Sequence, residues 1–235
     1  MIGDHIVSTL QRLAWPPRAA LLIRHSERPH IASAVGTNEV ALTPAGVAAA
    51  ASLGRQLASR HKNIRLFHSP VLRCAQTAEA IRTGAQDNGA TATVHGPRNC
   101  LGGSYLVDHT SALPLADQLG PKFVRTWFSG GISPAIIKSL SDALAEHTQY
   151  ILSELGSSPA PATLDVHVTH DWNVMVIREG IFGICYEDVG WPDYLDGIVL
   201  HESNGRRIAS YHDKDEYHPP RPSPSPQPTP SPTLA

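Results

Sequence analysis

Between residues 19 and 82 the chain repeats one arrangement: a short apolar run, a hydroxyl residue followed by proline, and then a helix-length stretch. Ala19 to Ile23 is continuously apolar, as expected of a strand buried on both faces. Thr43-Pro44 then opens a helix, with Thr43 as N-cap and Pro44 at the first helical position. This helix is predicted to reach about Arg60 and to present Val47, Ala51, Gly54 and Leu57 or Ala58 on one side. Ile64 to His68 reads as a second strand, and Ser69-Pro70 repeats the cap-plus-proline device for a helix through about Arg82. Two successive strand–helix units imply a parallel sheet with helices on its faces.

Further along, residues 97–132 are rich in Gly, Pro and Ser without a clear period, and read as an irregular excursion capping a site. Pro134 to Leu155 is a helical stretch. Thr163 to Thr169 is a third strand, with Leu164, Val166 and Val168 alternating against polar partners. Asp171 starts another helix that reaches about Gly183. Gly197 to Glu202 and Arg206 to Tyr211 flank Asn204-Gly205, a strong hairpin signal. The expected fold class is therefore α/β: three layers, α/β/α, with a mostly parallel sheet, a late antiparallel hairpin and a small irregular cap. The domain is expected to fill residues 1–217. Residues 218–235 hold eight of the chain's 20 prolines and read as an extended, solvated tail.

Bulk properties narrow the function classes. A formal net charge of −2 provides no broad basic field for nucleic acid or an anionic membrane, so any anion site must be local. The N-terminal residues lack the apolar core of a secretory signal, and no apolar run reaches the roughly 18 residues of a membrane span. Cys74, Cys100 and Cys185 form no C-x-x-C pair and read as thiols of a reducing compartment. The expected location is cytoplasmic.

Ligands of open α/β sheets bind outside the carboxyl ends of the strands. The first strand here ends in Arg24-His25-Ser26-Glu27-Arg28, the second is followed by Ser69-Pro70-Val71-Leu72-Arg73, and the third runs into His170-Asp171-Trp172-Asn173. Three strand ends thus bring three arginines, two histidines and a carboxylate to one rim. Guanidinium forks match the oxygens of a phosphate dianion, and each charge-assisted hydrogen bond contributes about 1.5–3 kcal/mol. A neutral imidazole can attack phosphorus and carry the phosphoryl group, and the positive neighbours Arg24 and Arg28 favour a neutral His25. Asp171, beside the second histidine, is a candidate to protonate the leaving oxygen.

These segments resemble the histidine phosphatase superfamily, which contains phosphoglycerate mutases and histidine acid phosphatases. Arg24-His25-Ser26-Glu27-Arg28-Pro29 is similar to its R-H-G motif, with serine for glycine and a further arginine placed as in the acid-phosphatase branch. Thr43-Pro44-Ala45-Gly46 resembles the L-T-x-x-G stretch. Ser69-Pro70-Val71-Leu72-Arg73-Cys74-Ala75-Gln76-Thr77 resembles S-P-x-x-R-x-x-Q-T, and His170-Asp171-Trp172-Asn173 resembles the H-D-x-N of the acid-phosphatase branch. The resemblance implies His25 as nucleophile and Arg24, Arg28, Arg73 and His170 as the phosphate pocket. It implies Asp171 as proton donor, or Asp108 if the acid comes from the loop after the central helix, as in the mutase-like branch.

The expected activity is metal-independent hydrolysis of phosphomonoesters through a phosphohistidine on His25, without a cofactor. The substrate class is a small phosphorylated molecule or a phosphoprotein. The alternatives are mutase-like phosphoryl transfer and a non-catalytic phospho-ligand-binding module. A metal site is not expected: His167 and His170, three apart, cannot share an ion from opposite faces of a strand. Trp127, Phe128 and Tyr105 are expected to form the cap's own small core. The cap segment has no cationic cluster beyond Lys122 and Arg125, which disfavours highly phosphorylated substrates.

Overall fold

The computed structural model describes residues 2–157 and 162–218. In chain order the elements are α1 (Asp4–Arg12), β1 (Arg18–Arg24), α2 (Pro44–Ala58), β2 (Asn63–His68), α3 (Leu72–Asp87), β3 (Thr91–Pro97), α4 (His109–Leu119), α5 (Phe123–Phe128), α6 (Leu140–Ser157), β4 (Thr163–Thr169), α7 (Asp171–Phe182), α8 (Tyr186–Val189), β5 (Gly197–Ser203), β6 (Arg206–Tyr211) and β7 (Lys214–His218). The seven strands form one sheet in the order β3-β2-β4-β1-β5-β6-β7. β1 to β4 run parallel, and β5 to β7 are antiparallel. The expected α/β class is the observed one. Among the described residues no helix is long and apolar enough to cross a membrane. The proline-rich tail lies, apart from His218, outside the described residues.

Alternation along β1 builds the three layers. Ala19, Leu21 and Ile23 join α1, α2 and α3 in one core, whereas Ala20 and Leu22 face α6 and α7 in the other. A third cluster beneath the cap contains Tyr105, Phe123, Val124, Trp127, Met175 and Val176. The aromatic residues of the cap thus make its own core, as expected. Arg125 fastens α5 to the main body through bidentate pairs with Glu179 and Glu187.

Where the structure differs from the expectations, local physics explains why. In α2 the buried face is Gly46, Ala50, Leu53, Gly54, Leu57 and Ala58, while Val47 is exposed. The run of alanines gives no contrast from which to read a face. Close approach fixes it instead: a Cβ on Gly54 would overlap the Ile81 carbonyl oxygen, and one on Gly84 the carbonyl of Ala51. Thr43 caps α2 as expected, its Oγ1 accepting from the Gly46 N–H at 2.9 Å. Ser69-Pro70 is not a second cap, because α3 begins at Leu72 behind Val71 and continues to Asp87.

The segment expected to be irregular begins after an edge strand and is largely helical, with α4 and α5 inside it. Pro114 sits within α4, and both helices are short, which hid their period. α6 starts at Leu140 rather than near Pro134. β4 is buried at every position because it is central. Asp165 is paired with Arg65, and the His167 ring stacks on Phe67 at 4.9 Å. The hairpin forms as expected, with Asn204 and Gly205 both at positive φ, and β7 extends it.

Candidate active site

Strand order places the site. β2, β4 and β1 are adjacent, and all three point their carboxyl ends at the same rim. Register aligns Arg24 with Thr169 and His68 with Val168, so the residues that follow emerge at the same height. The His25 N–H extends this register by donating to the Thr169 carbonyl at 2.8 Å.

His25 is 1% exposed. Its Nδ1 lies 2.8 Å from the Ser26 carbonyl, which can only accept, so Nδ1 carries the proton and Nε2 the lone pair. Arg73 Nε–H donates to that Nε2 at 3.0 Å. Burial first, then the neighbouring His170 and Arg73, hold the His25 pKa well below its usual value. The neutral ring was expected from the sequence, but its main cause is desolvation rather than Arg24 and Arg28.

Arg73 binds this centre together. Besides His25 it donates to the Thr37 carbonyl at 2.8 Å and to His170 Nδ1 at 3.3 Å. Because a guanidinium has no acceptor, His170 Nδ1 is the accepting nitrogen and Nε2–H donates to Ser69 Oγ at 2.9 Å. Burial, then Arg73, pushes the His170 pKa down to about 3. Arg24 NH2 pairs with Asp171 Oδ2 at 3.1 Å, and its NH1 donates to the Pro192 carbonyl. Arg28 donates to Pro29, has a buried Nε without a protein partner among the described residues, and acts electrostatically on both Arg73 and His170. The structure thus joins Arg73, His25 and His170 by direct contacts and pairs Arg24 with Asp171, while Asp171 acts on the two histidines, and Arg28 on Arg73 and His170, through charge.

The two candidate acids have different surroundings. Asp171 Oδ2 accepts from Arg24 and from Trp191 Nε1 at 3.0 Å, while Oδ1 accepts from the Trp172 N–H. Burial would raise its pKa, but Arg24, Trp191 and the histidines outweigh that and bring it to about 2. Asp108 caps α4, and both its oxygens accept from Thr110 and Ser111. Those bonds hold its carboxyl at about 2.

The motif residues around the centre have structural work. Ser26 Oγ donates to the Gly46 carbonyl at 2.7 Å, and its N–H donates to Thr77 Oγ1. The hydroxyl that replaces the motif glycine is therefore bonded inward, toward α2. Gln76 accepts the Leu42 N–H, and Glu27 accepts from Thr43. Two contributors were not visible in the sequence. Ser69, expected as a cap, contacts His170 instead. Tyr194 lies under the Arg24 guanidinium at 4.3 Å, beside Pro192 and Trp191. The available signal for this segment was the hairpin itself: an antiparallel β5 beside β1 must begin at the rim where β1 ends.

Residues 20–94 match the family model described as histidine phosphatase superfamily (branch 1). That span includes His25, Arg24, Arg28 and Arg73; His170 and Asp171 lie beyond it. No curated protein matches the chain. Among solved structures, mycobacterial glucosyl-3-phosphoglycerate phosphatase with VO3 superposes with a TM-score of 0.57 at 16% identity, over 84% of this chain and 100% of that one. YhfR of Bacillus stearothermophilus gives 0.55 at 17% identity, over 85% and 94%. A phosphoserine phosphatase variant of Entamoeba histolytica with phosphoserine gives 0.53 at 17% identity, over 83% and 96%. At these identities the likeness is one of fold.

Proposed function

From a chain that matches the histidine phosphatase superfamily over residues 20–94 and shares its fold, we propose a metal-independent phosphomonoester hydrolase acting through a phosphohistidine on His25. The observation that carries this reading is the His25 tautomer: Nδ1–H is tied to Ser26, and the Nε2 lone pair faces Arg73. An imidazole held this way has one nucleophilic atom, aimed at the Arg73 guanidinium.

The steps follow from the donors. Arg24, Arg28 and Arg73 bind the equatorial oxygens of a phosphoryl group, where charge spreads in the transition state, and a neutral His170 completes the pocket. His25 Nε2 attacks phosphorus in line, forming the N–P bond as the P–O bond to the leaving group breaks. Asp171 delivers a proton to the departing oxygen, a role for which its position between Arg24 and His170 suits it better than the capping position of Asp108. Water then attacks the phosphohistidine, releasing phosphate and restoring neutral His25.

Substrate class follows from charge. Arg125, one of the cap's few cations, is committed to Glu179 and Glu187, so the cap offers little to a polyphosphorylated ligand. A singly phosphorylated small molecule or a phosphoprotein fits better. The direct experiment is p-nitrophenyl phosphate hydrolysis in EDTA. Turnover in the native chain that is lost in a folded His25→Ala supports the reading. Turnover that requires added metal sinks it.

A further inference from the structure

Residues 190–196 form a strap from α8 to β5 that crosses the catalytic rim. It is pinned at several points: Arg178 donates to the Gly190 carbonyl at 2.9 Å, Arg24 NH1 to the Pro192 carbonyl at 2.6 Å, and the Leu195 N–H to the Arg24 carbonyl at 3.2 Å. Gly190, at φ 83°, turns the chain into it. Between these pins Trp191 remains 40% exposed, so core packing does not account for its position. Its ring meets Tyr186 edge-on at 5.5 Å, and Tyr186 is itself anchored by donation to the Pro121 carbonyl. The indole N–H is thereby delivered to Asp171 Oδ2 at 3.0 Å.

We propose that Trp191 is a positioning residue for the proton-donating carboxylate, its indole N–H setting the orientation and charge state in which Asp171 meets the leaving oxygen. This rests on the reading of Asp171 as the acid. Indole donates and cannot accept, so Trp191 stabilises the ionised carboxylate and cannot itself pass a proton. Oδ2 holds two donors, Arg24 and Trp191, and Oδ1 holds the Trp172 N–H. For Oδ2 to carry a proton, one of its donors must yield. Arg24 is needed by the phosphate, which leaves the neutral indole as the adjustable partner. The other groups facing Asp171 are His25, His170, Arg73 and Cys74 of α3, and Tyr105 of the cap. Trp191→Phe leaves all of them in place and removes one hydrogen bond.

The test compares kcat/KM from pH 5 to 9 for an alkyl phosphate and for p-nitrophenyl phosphate, in the native chain, Trp191→Phe and Asp171→Asn. With the alkyl ester, whose rate falls with pH throughout this range, Trp191→Phe is expected to raise kcat/KM about tenfold at each pH, the reading of a one-unit upward shift of the carboxyl. With the aryl ester, whose leaving group needs little protonation, the profile stays within about twofold. A merely structural tryptophan would scale both substrates alike, whatever their leaving group. If Asp171→Asn shows a leaving-group-dependent loss while Trp191→Phe changes both esters alike or neither, the inference is overturned and the acid assignment stands. If Asp171→Asn affects both esters equally, the acid assignment falls and the inference falls with it.

Discussion

The Ser26 carbonyl accepts the Nδ1 proton of His25 at 2.8 Å, and this bond decides which nitrogen of the ring can react. With Nδ1 protonated, the lone pair is on Nε2, where Arg73 donates to it at 3.0 Å. In the proposed reaction Arg73 therefore has two tasks, adding to burial and His170 in keeping the ring neutral and binding the group that the ring attacks.

Arg73→Ala removes both. Losing one or two charge-assisted hydrogen bonds at about 1.5–3 kcal/mol each is expected to lower kcat/KM by about 10–10⁴. Arg73→Lys keeps the charge but not the fork, and should recover only part of that loss. Steady-state kinetics with phosphate as competitive inhibitor checks this. A lysine variant at native activity would show that the fork is not used.

The two carboxylates separate by leaving group. Asp171→Asn is expected to reduce alkyl phosphate turnover by about 10²–10⁴ and to affect p-nitrophenyl phosphate far less. Asp108→Ala removes the α4 cap, so it should lower the thermal midpoint and leave the leaving-group dependence unchanged. Since Asp171 sits near 2, its protonated fraction falls about tenfold per pH unit above that value, and alkyl ester activity should decline as pH rises. A rate constant from pH 5 to 9 would contradict the assignment.

Acid stability follows from buried histidines. His25, His147, His167 and His170 all have lowered pKa values, so the folded chain keeps them neutral where the unfolded chain takes up protons. Their contribution is complete above the unfolded value of about 6.5 and is lost as pH falls below it, by about 1.4 kcal/mol per pH unit for each histidine. His167, with no hydrogen-bond partner for either ring nitrogen among the described residues, is the cleanest case. Urea titrations between pH 7 and 4.5 should show a steep decline, and His167→Phe should flatten it by about one proton. Equal stability at both pH values would refute this.

The close approach of α2 and α3 has a separate test. A Cβ on Gly84 meets the backbone carbonyl of Ala51, which cannot rotate away. Gly84→Val is expected to cost about 2–3 kcal/mol by overpacking, read as a lower thermal midpoint. An unchanged midpoint would mean that the helices separate freely.

Much of the site was legible because its signals are local. Arg24-His25, Arg73 and His170-Asp171 each follow a short apolar run, and parallel strands deliver their ends to one rim without long-range information. What was missed depends on partners far away in sequence. Ser69 carries the same Ser-Pro text whether it caps a helix or meets His170, 101 residues later. β3, with Gly96 and Pro97 and one covered side, lacks the apolar density of an inner strand. Trp191 reaches Asp171 only through the antiparallel pairing of Ile23 with Gly197, which no local pattern shows.

The central claim is that the phosphoryl group passes through His25. Rapid alkaline quenching of the native chain with a ³²P-labelled substrate, followed by peptide mapping, tests it most directly. The expected result is an acid-labile, base-stable label on the peptide containing His25, absent from His25→Ala together with turnover. Undiminished turnover in His25→Ala, or a label on another residue, would contradict the account.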